Sequence, residues 1–263
     1  MTTPIALITG AGRGIGASLA RRLHADGFHV VIGDIDRATA SETADELDGD
    51  ASVFDVSDSA AVDAAVDAVV DAHGRLDVVV NNAGILETAD DVIGRVAANM
   101  MAEPGTPPEP LGVISTMTDD AWDRMLKVHL YGTFFVTRAA LRHMEPARSG
   151  AIVNLASIYG LSGSAINSSY AVAKGGIVQL TRSVGAEVAP LGIRVNAVAP
   201  GFVDTDLLSR TPPPFIDAAV GTVPAGRLGT AEEVADVVAF LASDRASFCN
   251  GEVWTLSGGW AGV

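Results

Sequence analysis

The residues Thr9-Gly10-Ala11-Gly12-Arg13-Gly14-Ile15-Gly16 stand between a short apolar run, 5–9, and a segment with helical spacing, 14–25. Glycine is needed here for geometric reasons. Backbone N–H groups at a helix N-terminus can hold a pyrophosphate only where no Cβ keeps the anion away, and the last glycine lets helix and strand pack closely. Ile15 breaks the G-x-G-x-x-G spacing, and the Gly-Lys-Ser/Thr of a P-loop is missing. The same alternation runs along the chain. Short runs rich in β-branched residues, 5–9, 29–33, 51–54, 76–80, 151–155, 194–198 and 252–256, alternate with amphipathic segments at 14–25, 37–47, 59–73, 119–145, 169–189 and 231–242. That rhythm predicts an α/β domain with a parallel sheet of seven strands. Thr230 with Glu233 reads as a capping box, and Thr118-Asp119-Asp120 as a helix start.

Composition supports a large buried core. Of 263 residues, 48% are hydrophobic and 19% charged, which excludes disorder as the main state. No repeat or composition break divides the chain, so residues 1–263 read as one domain. The balance of 17 basic against 32 acidic residues gives −15, and the only lysines are Lys127 and Lys174. No polybasic surface is available for nucleic acid or an anionic membrane. A single cysteine, Cys249, an N-terminus without a basic start, and the lack of an ~18-residue apolar run suggest a reduced, cytoplasmic protein.

Residues 86–117 depart from the rhythm. Within them Val92, Ile93, Val96, Ala97, Met100 and Met101 share one helical face, followed by a proline-rich stretch expected to be extended. The insertion could wall a substrate pocket, contact a neighbouring subunit or decorate the surface. A second break, about 206–226, contains Pro212-Pro213-Pro214 and reads as a lid.

Asp34 follows Gly16 by 18 residues at the end of the second strand. An acid there can accept hydrogen bonds from an adenosine ribose and repels a 2′-phosphate, so NAD is expected over NADP, with Arg13 leaving some NADP tolerance. Tyr170 and Lys174, four apart on a predicted helix, share a face. An ammonium beside a phenol favours phenolate and so a general base. Lysine at 174 is notable where arginine supplies 15 of 17 basic residues. His24, His29, His73 and His143 lack spacing for a metal site, and no metal is expected.

Taken together, Thr9-Gly10-x-x-x-Gly14-Ile15-Gly16, Asn81-Asn82-Ala83-Gly84, Ser157, Tyr170-x-x-x-Lys174 and Pro200-Gly201 resemble the short-chain dehydrogenase/reductase family nearly end to end. The resemblance implies a Rossmann-like, doubly wound sheet of order 3-2-1-4-5-6-7, helices on both faces, and a pocket at the C-terminal strand edge. It implies that Asp55 and Val56 meet adenine, that Asn82, Ala83 and Gly84 line the dinucleotide, and that Val203 and Thr205 hold the carboxamide. Tyr170 would transfer the proton, Ser157 orient the substrate oxygen, and Lys174 serve Tyr170 and the ribose. One position departs from the family. His129 stands where relatives commonly have an asparagine that holds a relay water, and histidine there is expected either to keep the relay and add a titration to the pH profile or to serve a helix kink or packing without proton transfer.

The resemblance also implies a homotetramer built on the helices of 119–145 and 169–189, with the tail from Trp254 onward reaching a neighbour. Phe202, Leu207, Leu208 and Phe215 would make the pocket apolar. The expected activity is NAD-dependent interconversion of a secondary alcohol and a ketone. The alternative is reduction of 3-oxoacyl thioesters, for which Arg148 supplies one expected basic residue while Leu191 replaces the other.

Overall fold

The computed structural model describes residues 3–86, 90–103, 105–205 and 213–260. β1 (Ile5–Thr9) is buried throughout and lies at the centre of a parallel sheet. It pairs with β2 (His29–Asp34), Ile8 opposite Ile32, and with β4 (Val78–Asn81), Ile8 opposite Val80. β3 (Asp50–Val53) forms one edge. β5 (Gly150–Leu155), β6 (Ile193–Pro200) and β7 (Val253–Leu256) follow on the other side, completing the order 3-2-1-4-5-6-7.

Successive strand side chains point to opposite faces, and both faces are covered. Ala6, Ile8, Val30, Ile32, Val80 and Val153 pack beneath α1 (Gly14–Ala25), α2 (Arg37–Glu46) and a late helix, Ala231–Ala242. Ile5, Leu7, Val31, Val79, Ile152 and Val195 pack beneath α3 (Ser59–His73) and helices at Gly132–Ala147 and Ser168–Val188. Crossing from strand to helix and back on alternating sides brings every βα turn to the same sheet edge.

Among the remaining helices, α4 (Asp90–Met101) lies in the insertion. Val92 is buried, but Met100 and Met101 at its end are exposed, so the predicted apolar face is only partly covered. The proline-rich stretch does not extend away. Asn99 Nδ2 donates to the Glu109 carbonyl, Asn99 Oδ1 accepts from Glu109 N, and Arg95 Nε donates to the Leu111 carbonyl, folding the stretch back along α4.

The long helix expected over 119–145 is broken. α5 (Asp119–Leu126) passes through a π-turn, Lys127–Tyr131, into α6 (Gly132–Ala147). The extra residue of a π-turn re-aims the side chains in it, and His129 lies inside. α7 (Tyr159–Ser162), α8 (Ser168–Val188), α9 (Pro213–Gly221) and α10 (Ala231–Ala242) complete the chain. Thr230 and Glu233 form the predicted capping box on α10. Of the second break, residues 206–212, including Leu207 and Leu208, and the Phe215 side chain lie outside the described residues.

Among the described residues, no helix is long and apolar enough to cross a membrane. Sequence spacing separates His29 and His73, yet the fold brings both to Asp50 at the sheet edge opposite the βα turns.

Candidate functional site

The turn after β1 is held open by side chains from the next strand. Asn82 Nδ2 donates to the carbonyls of Thr9 at 3.0 Å and Gly10 at 2.9 Å, while Thr9 Oγ1 accepts from the backbone N–H of Asn82 and Ala83, each at 3.1 Å. Asn82, expected to face the dinucleotide, therefore spends its amide on the turn. A Cβ at Gly16 would collide with the Gly10 carbonyl and lie 2.7 Å from Asn82 Nδ2. Gly14, at φ +55°, has open space where a Cβ would stand.

The helix that follows is left uncapped. Asp36, Asp58, Thr118 and Thr230 cap α2, α3, α5 and α10 with side-chain oxygens. α1 has no side-chain cap and no acid in its first turn, and its N-cap Arg13 is extended and exposed. Unpaired N–H groups at a helix start, with no Cβ in front of them, suit an anion. Gly10, Gly14, Ile15 and Gly16 thus frame a cradle that fits a pyrophosphate.

Asp34 closes β2 beside this cradle. Its Oδ2 accepts from Gly12 N at 2.9 Å and its Oδ1 from Asp36 N at 3.0 Å, fixing a half-buried carboxylate at the turn. Asp55 Oδ1 accepts from Ser57 N at 2.8 Å, and buried Val56 packs where a Cβ on Gly132 would come within 3.0 Å. On the far side, Gly201 N donates to the Leu256 carbonyl and Ile158 N to that of Pro200, tying this corner to β7 and to the segment after β5. Val203 is buried and bridges to Gly229, and Thr205 is half-buried.

Ser157, Tyr170 and Lys174 converge at the end of β5. Lys174 is 5% exposed, and its Nζ donates to the Leu155 carbonyl at 2.5 Å. It stands 5.6 Å from the centre of the Tyr170 ring. Burial pushes the ammonium pKa down to about 7, because a charge loses its hydration here. The phenol shifts opposite to the expected lowering. Desolvation raises the Tyr170 pKa above that of an ordinary phenol, opposed by a hydrogen bond with Ser157.

His129 is 2% exposed, its ring edge-on to Tyr170 with centres 5.2 Å apart. Its Nε2 lies 2.7 Å from the Ile85 carbonyl and 3.1 Å from Ile85 N, while Nδ1 is buried without a partner among the described residues. A Cβ on Gly84 would strike the imidazole, so that glycine makes room for it. Burial, then Lys174, pushes the His129 pKa down to about 3. The ring stays neutral near pH 7, which corrects the expectation of an added titration.

The structure adds residues that spacing did not single out. Tyr159 meets Phe202 at 6.1 Å and Trp260 at 6.3 Å, ring centre to ring centre, both edge-on. Trp260 therefore packs within its own chain, while Trp254 leans on Phe240 at 5.5 Å and stays 38% exposed. An aromatic two residues after Ser157 was the available signal. Arg148, expected beside the pocket, sits two residues before β5 begins and donates to the Pro190 carbonyl, at the opposite end of the strand from Ser157.

A cradle for a pyrophosphate two strands from a buried serine and lysine and a half-buried tyrosine is the arrangement of a dinucleotide-dependent oxidoreductase. A family model described as enoyl-(acyl carrier protein) reductase matches residues 10–261, and the chain belongs to the short-chain dehydrogenase/reductase family. It is an oxidoreductase acting on CH–OH groups with a nicotinamide cofactor. The chain is 42% identical to cis-4-hydroxycyclohexanecarboxylate dehydrogenase of Sinomonas cyclohexanicum, covering 98% of this chain and 97% of the relative. It is 38% identical to a 3-oxoacyl-[acyl-carrier-protein] reductase of Pseudomonas aeruginosa, covering 97% and 96%. Among solved structures, gox2181 superposes with a TM-score of 0.88 at 32% identity, over 99% of this chain and 96% of that one.

Proposed function

We propose that the chain is a cytoplasmic, NAD-dependent dehydrogenase that interconverts a hydrophobic or cyclic secondary alcohol and its ketone, with residues 1–263 acting as one cofactor-binding domain. The observation that carries this reading is the cluster of buried Ser157 and Lys174 with half-buried Tyr170 at the end of β5.

Ser157 Oγ orients the substrate oxygen, and Tyr170 Oη takes or gives its proton. Lys174 Nζ, held by Leu155, donates to ribose hydroxyls and steadies Tyr170. His129 is a neutral positioning group whose ring packs against Tyr170 and whose Nδ1 can accept from a water. Gly10, Arg13, Gly14, Ile15 and Gly16 would hold the pyrophosphate and Asp34 the adenosine ribose. Asp55 and Val56 would border adenine, Asn82, Ala83 and Gly84 the middle of the dinucleotide, and Pro200, Gly201, Val203 and Thr205 the carboxamide. When bound, the nicotinamide supplies or accepts the hydride.

Asp34 supports NAD over NADP, because an ionised carboxylate fixed by two backbone N–H groups repels a 2′-phosphate. The aromatic group of Tyr159, Phe202 and Trp260 and the cyclic substrate named for the 42% relative support a ring-shaped, largely apolar substrate. Exposed Tyr131, Phe134 and Val172 on the π-turn, α6 and α8 support association of copies through that face, as in a homotetramer.

Initial rates with NAD and NADP on a panel of cyclic secondary alcohols test the reading. Oxidation of ring alcohols with NAD preferred is the expected result. A second reading, reduction of 3-oxoacyl thioesters, is favoured by the 38% relative and opposed by the −15 charge and the distant Arg148. Turnover of acetoacetyl thioesters with NADPH but of no ring alcohol would replace the first reading with the second.

A further inference from the structure

His29 opens β2, Asp50 opens β3, and His73 closes α3, so three residues far apart in sequence meet at the sheet edge opposite the glycine turn. The Nε2 atoms of both histidines lie 2.9 Å from one oxygen, Asp50 Oδ2. One ligand atom from each residue falls within a span of 4.8 Å, and the two rings are 4.8 Å apart, tilted at 47°.

Two imidazoles aimed at one carboxylate oxygen have the arrangement they need around a cation. Zinc bonds of about 2.0–2.2 Å to nitrogen and oxygen place tetrahedral ligand atoms about 3.3 Å apart. Opening each 2.9 Å contact by a few tenths of an ångström and drawing the two imidazoles together within their 4.8 Å span brings the three atoms to that spacing. Each imidazole shifts its proton to Nδ1 and presents the Nε2 lone pair, so no proton need leave a neutral histidine. The side chains of His29 and His73 are 26% and 22% exposed and that of Asp50 54%, which leaves a water-filled fourth position. A chain of formal charge −15 also concentrates cations at its surface.

We propose that His29, Asp50 and His73 form a surface site for a transition-metal dication of the zinc class, which clips edge strand β3 to β2 and α3. Imidazole ligands select zinc, nickel or copper over magnesium and calcium. The site is remote from the chemistry. β2 runs five residues on from His29 to Asp34, about 16 Å along the strand, so the ion affects stability rather than the reacting groups. The site stands independently of the proposed substrate.

The test uses untagged, metal-stripped protein titrated with ZnCl2 against a chromophoric chelator, with thermal melting alongside. One equivalent per chain is expected, with Kd of about 10 µM or tighter, and a Tm rise of about 5 °C at ~100-fold excess over Kd. Magnesium at the same concentration leaves Tm unchanged. His29→Ala, His73→Ala and Asp50→Asn each weaken zinc at least ~10-fold, a loss of about 1.4 kcal/mol, and cut the Tm rise to about half or less. His143→Ala, which removes a two-residue pair with Asp67, leaves both unchanged. If His73→Ala unfolds early, the shape-preserving Asp50→Asn supplies the same comparison. No saturable binding, or one-equivalent binding that survives Asp50→Asn and His29→Ala, would overturn the assignment.

Discussion

At the C-terminal ends of the strands Lys174 is 5% exposed, hydrogen-bonded to a backbone carbonyl, and His129 Nδ1 has no partner among the described residues. At the N-terminal ends His29, Asp50 and His73 pair with one another, and Arg75 pairs with Asp77, all in contact with water. Lys174 and His129 have lost hydration without receiving a full set of partners among the described residues, so their pKa values fall. The groups at the second end are satisfied, and the pairs contribute little to stability because water screens them. The sheet separates the two environments by its own length.

The comparison can be broken most severely at Tyr170. Tyr170→Phe is expected to lower kcat by about 10²–10⁴ while leaving Tm nearly unchanged, the signature of lost proton transfer. Near-parental turnover in that variant would remove Tyr170 from the reaction. Gly16→Ala places a methyl group against the Gly10 carbonyl and Asn82. It should cost about 1–3 kcal/mol of stability and weaken cofactor binding in a calorimetric titration. Asp34→Ala should reduce kcat/KM with NAD about tenfold, the loss expected for one hydrogen bond to a charged group, and narrow the preference over NADP. Unchanged discrimination in steady-state rates would sink the ribose assignment.

Smaller effects concern protons. Lys174 has a folded pKa of about 7 against 10.5 in the open chain, so between these values the unfolded state binds more protons. Its contribution to stability therefore rises with pH across that window. The difference in Tm between the parent and Lys174→Met should change across it, with the variant gaining most at the acid end. His129, held neutral down to about pH 3, should add no limb to the pH–rate profile. His129→Asn is expected to alter the rate without moving the profile's midpoints, and a displaced midpoint would restore a titrating role.

Much of the framework was legible in the chain. The β-branched runs located seven strands to within a residue or two at most ends, since a parallel sheet buried on both faces demands continuous apolar stretches. β6 was read short because Ala199 and Pro200 are weak strand formers, although both are buried and paired with Thr255 and Leu256. The break at Lys127–Tyr131 was invisible, because the apolar spacing of 119–145 continues through a π-turn with little change. The proline-rich stretch after α4 was read as extended from composition, whereas Asn99 and Arg95 tie it back.

The candidate site divides in the same way. Gly10, Gly14, Gly16, Asp34, Tyr170 and Lys174 could be named from spacing, because local geometry dictates each of them. What each residue does with its polar atoms could not. Asn82 binds the turn, Asp34 holds Gly12, and Arg148 lies at the wrong end of β5. The residues that meet from distant elements, Tyr159 with Trp260 and His29 with His73, left no periodic trace.

By itself the sequence determined the alternation of strands and helices and the glycine turn, because both follow from short-range rules of backbone geometry and burial, while the doubly wound strand order came from the family resemblance. Tertiary structure alone decided the direction in which the pKa values of Tyr170, Lys174 and His129 move and the meeting of His29, Asp50 and His73. Hydration depends on everything that surrounds a group, and only the folded chain sets that.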